Sequence, residues 1–195
     1  MADVMLPPEP SPWAIRWTRD GCAKLEEAGF LTERYELVEG SINRVGQNMP
    51  HATVDRLCLR ALISVFGDEF VVTQASIDVR PEDNPTNEPM PDLIVLTRPS
   101  GQFDHYPKPH EIQLLIEVAD STIRFDLTTK AALYARAGIV EYWVATVNER
   151  TVTVHRNPVS SIYQEVSRLS ENDAIAPISA PDKSIMLSEL FPSPA

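Results

Sequence analysis

Apolar residues recur at helical spacing in some stretches of the chain and at strand spacing in others, and the period changes where Gly, Pro and Asn gather. Residues 18–28 predict a short helix: Thr18 can cap it, Leu25 and Ala28 give an apolar edge, and Gly29 follows as a stop. Residues 35–38 and 41–45 flank Glu39-Gly40, the pattern of a β-hairpin with a tight turn. Over residues 51–66, Val54, Leu57, Cys58, Ala61, Leu62 and Val65 fall on one helical face, and Gly67 follows. Residues 70–79, 92–96, 111–118 and 141–147 are short and rich in β-branched and aliphatic residues, which favours strands. Between the last two, Leu127, Ala131, Tyr134 and Gly138 define one face of a helix over 127–137, with Gly138 as its stop. Residues 151–156 pair with the preceding strand through the short connection 148–150, and residues 163–169 add one more strand. The pattern predicts an α/β or α+β domain over residues 18–175, with helices on a mixed sheet of roughly six strands. A proline-rich arm (1–17) precedes it and a proline-rich tail (176–195) follows.

Composition narrows the class. The chain has 195 residues, 43% of them apolar, enough for one core without disulfide or metal staples. Its two cysteines, Cys22 and Cys58, match no metal-ligand spacing, so a reducing, cytoplasmic setting is expected. No apolar run reaches the roughly 18–20 residues of a membrane span. The N-terminus has neither the basic nor the apolar region of a secretion signal. The net charge of −11 argues against a module that holds nucleic acid by bulk charge, since that binding runs on Lys and Arg. It leaves open an enzyme whose carboxylates bring a divalent metal to a phosphate.

Three ionisable residues sit awkwardly among apolar strands. Asp92 opens Asp-Leu-Ile-Val-Leu directly after Pro91, and Glu117 lies near the end of Ile-Gln-Leu-Leu-Ile-Glu-Val. A carboxylate there is costly unless paired or bound to a cation. If the two strands are antiparallel neighbours, both carboxylates reach one rim of the sheet. Lys130 lies about 60° from Leu127 at 100° per residue, at the border of the buried stripe, from which its ammonium can reach that rim. Such a set can hold Mg²⁺ or Mn²⁺, orient water and stabilise charge on a phosphate. The plainer alternative is a turn Asp, a solvated strand Glu and a Lys130–Asp126 pair at i,i+4. His51 at the start of its helix either touches a phosphate or caps the helix, with capping the simpler role. His105 and His110 lie in a proline-rich loop and read as surface residues. Trp143 is expected in the core, with Glu141 and Tyr142 serving the strand and its packing. No phosphate loop, nucleophile elbow or zinc pattern occurs.

A larger pattern joins these residues. Pro91-Asp92-Leu-Ile-Val is followed by Ile116-Glu117-Val118, by Ser121-Thr122 with Asp126 and Lys130, by Tyr134-Ala135-Arg136-Ala137-Gly138-Ile139, and by Glu141-Tyr142-Trp143. With the hairpin Tyr35-Glu36-Leu37-Val38-Glu39-Gly40 and His51, this order resembles the Uma2 family of restriction-endonuclease-like proteins over about residues 33–157. The resemblance implies the PD-(D/E)XK nuclease fold, a mixed central sheet flanked by helices. It implies Asp92 and Glu117 as ligands of Mg²⁺ or Mn²⁺, with the Val118 carbonyl as a further oxygen and DNA as the substrate. Glu36 matches the family's early acidic position, either completing the metal shell or remaining a solvated strand residue; Glu39 is explained by the turn. The usual Glu-x-Lys is here Glu117-Val118-Ala119, so Lys130 on the next helix takes the place of the strand lysine, as base or as charge stabiliser. Asp120 stands where relatives often show serine.

The leading expectation is a metal-dependent DNA endonuclease with catalytic Asp92, Glu117 and Lys130. The rivals are a nuclease-fold binding or assembly module with weak chemistry, and a hydrolase of small phosphorylated metabolites. Uncovered sheet edges make a homodimer the expected form of self-association.

Overall fold

The computed structural model describes residues 13–193. The first twelve residues of the expected arm and the last two of the tail lie outside them. Helix α1 (Arg19–Glu27) starts where predicted, with the Thr18 side chain accepting from the Gly21 N–H. Strands β1 (Tyr35–Val38) and β2 (Ser41–Arg44) form the expected hairpin, its corner made by Glu39 at φ 49° and Gly40 at φ 75°.

Helix α2 spans Met49–Phe66. Its cap is Asn48, whose side chain accepts from the His51 backbone N–H, so the expected capping role passes from His51 to Asn48. The long strand expected over residues 70–79 shrinks to β3 (Val71–Thr73). Gln74 takes a left-handed φ of 49° and breaks the ladder, and the chain beyond it bonds to loop carbonyls, as Ile77 does to Pro89.

The remaining strands are β4 (Leu93–Leu96), β5 (Ile112–Ala119), β6 (Glu141–Thr146), β7 (Thr151–Val159) and β8 (Ile162–Ser170), followed by the short pair β9 (Ala174–Ile175) and β10 (Ile185–Met186). The six strands from β3 to β8 lie side by side in chain order. All contacts are antiparallel except β5–β6, which is parallel and therefore needs a crossover. That crossover carries α3 (Ile123–Phe125), a π-helical turn (Asp126–Lys130) and α4 (Ala131–Ala137). Gly138 closes α4 at φ 86°, a left-handed position where a side chain would be strained.

Each face of the sheet has its own core. On one, α2 places Val54, Cys58 and Leu62 against Leu93, Leu114, Ile116 and Trp143. Residues 176–193, expected as tail, join this layer: Leu187, Leu190 and Phe191 are buried in it. On the other face, α4 packs Leu133, Tyr134 and Ala135 against Ile94, Leu115, Tyr142 and Val144. Trp143 is fully buried as expected, its indole N–H donating to Glu141 at 2.9 Å. Glu141 does more than pack: it is a buried carboxylate paired with Arg156, and it accepts from the Ile178 N–H at 2.7 Å.

His155 is buried against the Tyr142 and Tyr163 rings, with centroids at 5.2 and 5.5 Å. Burial pushes its pKa down to about 4, against weaker support from the Tyr142 and Thr153 backbone. A depressed folded pKa gives stability that is present above the unfolded value and lost as pH falls toward the folded one. The protein should therefore lose roughly 3 kcal/mol between pH 6.5 and 4 through this residue. His155→Phe, which keeps the stacking, should remove that part of the slope when urea unfolding is compared across the same pH range.

Candidate active site

Leu93 pairs with Ile116 in the antiparallel β4–β5 ladder, which sets Asp92 opposite Glu117 at one rim of the sheet. Pro91 has no N–H of its own to give a ladder, and Asp92 after it accepts from the Gln74 N–H through its carbonyl and turns its carboxylate onto the neighbouring backbone. Its Oδ2 accepts from the Val118 N–H at 2.8 Å. Glu117 points to the α4 side, alternating with the apolar Ile116 and Val118, which face α2.

Lys130 meets Glu117 there. Its Nζ lies 3.0 Å from Glu117 Oε1, 2.9 Å from Glu36 Oε2 and 3.9 Å from Asp126 Oδ1. The lysine is 5% exposed, so the helix border assigned to it from a uniform α-helical period is really an interior position. The π turn makes the difference: bonding from i to i+5, it turns Asp126, Thr128 and Lys130 inward and leaves Leu127 half-buried. The carbonyls of this segment are met by side chains, Tyr142 donating to Asp126 O at 3.1 Å and Thr128 to Arg124 O at 2.7 Å.

Glu36 arrives on the β1–β2 hairpin, docked by several bonds. The Glu88 N–H donates to Leu37 O at 2.7 Å, Glu39 N–H to the Asn87 side chain at 2.7 Å, and Arg136 of α4 clamps Glu39 and Asp83. Glu36 is 6% exposed, which rules out a solvated strand glutamate. Tyr134, a member of the apolar stripe by spacing, also donates its hydroxyl to Glu117 Oε1 at 2.9 Å.

A second polar group lies on the α2 side of Asp92. His51 Nε2 is 3.3 Å from Asp92 Oδ2, and the Gln47 amide donates to Asp92 Oδ1 at 3.4 Å. Asp55, one turn beyond His51, joins them. His51 Nδ1 and Asp55 Oδ1 are buried without a hydrogen-bond partner. Gln47 and Asp55 escaped the sequence reading; the only signal was the i,i+4 spacing of His51 and Asp55 at one end of α2. His105 is held by Asp104 and Glu111 in the loop, as a surface residue.

Charge at this rim is unbalanced. Burial drives the Glu117 carboxyl well above its ordinary range; Lys130 opposes this, while Asp92, Asp126 and Glu36 reinforce it. Burial likewise raises Asp126 to about 6, against Lys130 and Thr122, and raises Asp55 to about 6 with help from Asp92. Burial works against the Lys130 charge, but Glu117, Glu36 and Asp126 outweigh it and hold the ammonium protonated. For His51, burial is outweighed by the hydrogen bond and charge of Asp92, and its pKa rises. The donor set is oxygen-rich and over-negative, the chemistry of a hard divalent cation. Among the described residues, however, no three acidic, His or Cys side chains form a ready-made metal cage. The Lys130 ammonium stands between Glu36 and Glu117.

A mixed six-stranded sheet with helices on both faces and a charged rim at the β4–β5 ladder defines a restriction-endonuclease-like α+β protein. The chain belongs to the Uma2 family, described as "Putative restriction endonuclease", whose model matches residues 25–185. The fold is similar to the crystal structure of a "putative nuclease belonging to DUF820" from Anabaena variabilis ATCC 29413, with TM-score 0.62 and 17% identity, covering 85% of this chain and 96% of that one. No curated protein matches the chain. No helix among the described residues is long and apolar enough to cross a membrane.

Removing one partner from a buried ion network leaves uncompensated charge. Lys130→Met should cost about 3–5 kcal/mol at pH 7. Glu117 and Asp126 already have raised pKa values, so the folded variant takes up protons more readily than the unfolded chain, and its stability should recover as the pH falls through 6. Urea unfolding at pH 7 and pH 5 checks both magnitude and sign.

Proposed function

We propose that this protein is a Mg²⁺- or Mn²⁺-dependent endonuclease that hydrolyses DNA phosphodiester bonds. The observation that carries this reading is the excess of buried carboxylates at this rim: Glu36, Glu117 and Asp126 around the Lys130 ammonium, with Asp92 beside Glu117. Asp92 and Glu117 would hold the cation, with the Val118 carbonyl and Glu36 as further oxygen donors. When bound, such a cation lowers the pKa of water and offsets charge on a phosphate oxygen.

The chain's own residues supply the rest. The Val118 N–H and the His51 ring fix the Asp92 carboxylate, and the Tyr134 hydroxyl fixes Glu117 through Oε1. Lys130 acts as a fixed positive charge facing the phosphate and does not serve as the base: its protons are held by two carboxylates at 2.9 and 3.0 Å. Family membership supports DNA as the substrate.

A second reading has one observation in its favour. The ammonium between Glu36 and Glu117 partly satisfies those carboxylates without any metal, as in a nuclease fold retained for binding or assembly.

Cleavage of plasmid and linear DNA with Mg²⁺ or Mn²⁺ separates the two. The isosteric variants Asp92→Asn and Glu117→Gln should each lose cleavage by about 100-fold or more. Calorimetry should show divalent-ion binding by the parent and its loss in the variants. A parent protein that cuts neither substrate and binds neither ion overturns the endonuclease reading.

A further inference from the structure

Beside the lysine cage, where the chain leaves β5 and enters the crossover, lies a cleft of about 340 Å³ lined by Ser121, Thr122, Arg124, Phe125, Thr128 and Thr129. Two of its walls belong to the site already described. The Thr122 hydroxyl donates to Asp126 Oδ2 at 2.5 Å, and Asp126 Oδ1 lies 3.9 Å from Lys130 Nζ. The Phe125 ring centre is 5.9 Å from the same ammonium.

The polar groups of the cleft divide into engaged and open. Thr122 is spent on Asp126, and Thr128 on the Arg124 carbonyl. The Arg124 guanidinium and the Ser121 and Thr129 hydroxyls enter no ion pair or side-chain hydrogen bond among the described residues, and Arg124 is exposed. The carboxylates that bracket the cleft are both occupied. Asp120 accepts from Asn48 at 2.6 Å and from Asn148 at 2.7 Å, while Asp126 faces inward to Thr122 and Lys130. In a chain of net charge −11, this places an uncontested cation with two free hydroxyl donors, one aromatic side chain away from the candidate active site.

We propose that this cleft is a subsite for a second phosphate of the nucleic-acid strand, one that flanks the bond to be cut. Arg124 is its ion partner, Ser121 and Thr129 are hydrogen-bond donors, and the Phe125 face lies against the adjoining sugar or base. Guanidinium donors match phosphate oxygens in fork geometry, and hydroxyls complete such contacts. The role is positioning: the contact fixes the register of the strand so that the neighbouring phosphate meets Lys130. This inference rests on the nuclease reading above and adds to it where the substrate strand lies.

The test uses the Glu117→Gln background, which removes cleavage, with labelled single-stranded and duplex oligonucleotides in Mg²⁺ buffer. Anisotropy titrations over a range of salt should show about five-fold weaker binding for Arg124→Ala. The slope of log affinity against log salt should fall by about 0.7 for single strands or 0.9 for duplex, the signature of one lost phosphate contact. Lys183→Ala, on the C-terminal segment, should change neither. A single uncharged methylphosphonate at one linkage beside the cut should weaken binding of the Arg124-containing protein and leave Arg124→Ala indifferent. In the otherwise unaltered protein, Arg124→Ala should raise KM for DNA more than it lowers kcat. Equal affinity and salt slope with and without Arg124 overturn the subsite, and if the parent still cuts DNA the nuclease reading survives alone. A protein that neither binds nor cuts DNA overturns both.

Discussion

A single buried ammonium organises this molecule. Among the described residues, Lys130 is the cation that pairs with Glu36, Glu117 and Asp126, and each carboxylate comes from a different element: the β1–β2 hairpin, the central strand β5 and the π turn of the crossover. Desolvating that many charges is expensive, and attraction to one lysine does not fully offset it, as the raised Glu117 and Asp126 pKa values show. A fold built only for stability would fill such a position with apolar side chains. The hairpin, sheet and crossover instead converge on an excess of buried negative charge that a further cation would offset.

Asp92 links this cage to a second group of polar residues. It is fastened to the Val118 backbone and faced by His51 and Gln47 from α2, yet it also raises the Glu117 carboxyl by its charge. The polar groups of the two helical layers on opposite faces of the sheet thus meet at one carboxylate at its edge. The unpartnered His51 Nδ1 and Asp55 Oδ1 mark the α2 side as the less completely satisfied of the two.

Much of the fold was legible because it rests on local signals. Thr18, the Glu39-Gly40 corner and Gly138 all act where their chemistry places them, and the apolar runs become β4, β5 and β6. Asp92 and Glu117 could be set side by side once an antiparallel pairing was assumed, because the ladder then dictates the rest. What could not be read came from tertiary context. Nothing local reveals that Gln74 leaves the ladder, whereas the Asn48 cap of α2 was readable from Asn48 and Pro50 and was passed over for His51. The Tyr134 hydroxyl bond to Glu117 needs the sheet to exist first, and the packing of Leu187, Leu190 and Phe191 depends on an apolar face presented by α2. The depth of Lys130 was missed for a different reason: an even period of 100° per residue fails in a turn that contains an additional residue.

That extra residue lies just ahead of a stretch in which one helical face carries both packing and charge. Downstream, α4 must show Leu133, Tyr134 and Ala135 to the sheet, while one turn upstream a charged side chain has to enter the same interior. Lys130 stands three and four residues before Leu133 and Tyr134, so the helical period itself puts both demands on a single stripe. A charge and a hydroxyl therefore reach Glu117 Oε1 from successive turns of one helical face, and the carboxylate is gripped from a single side.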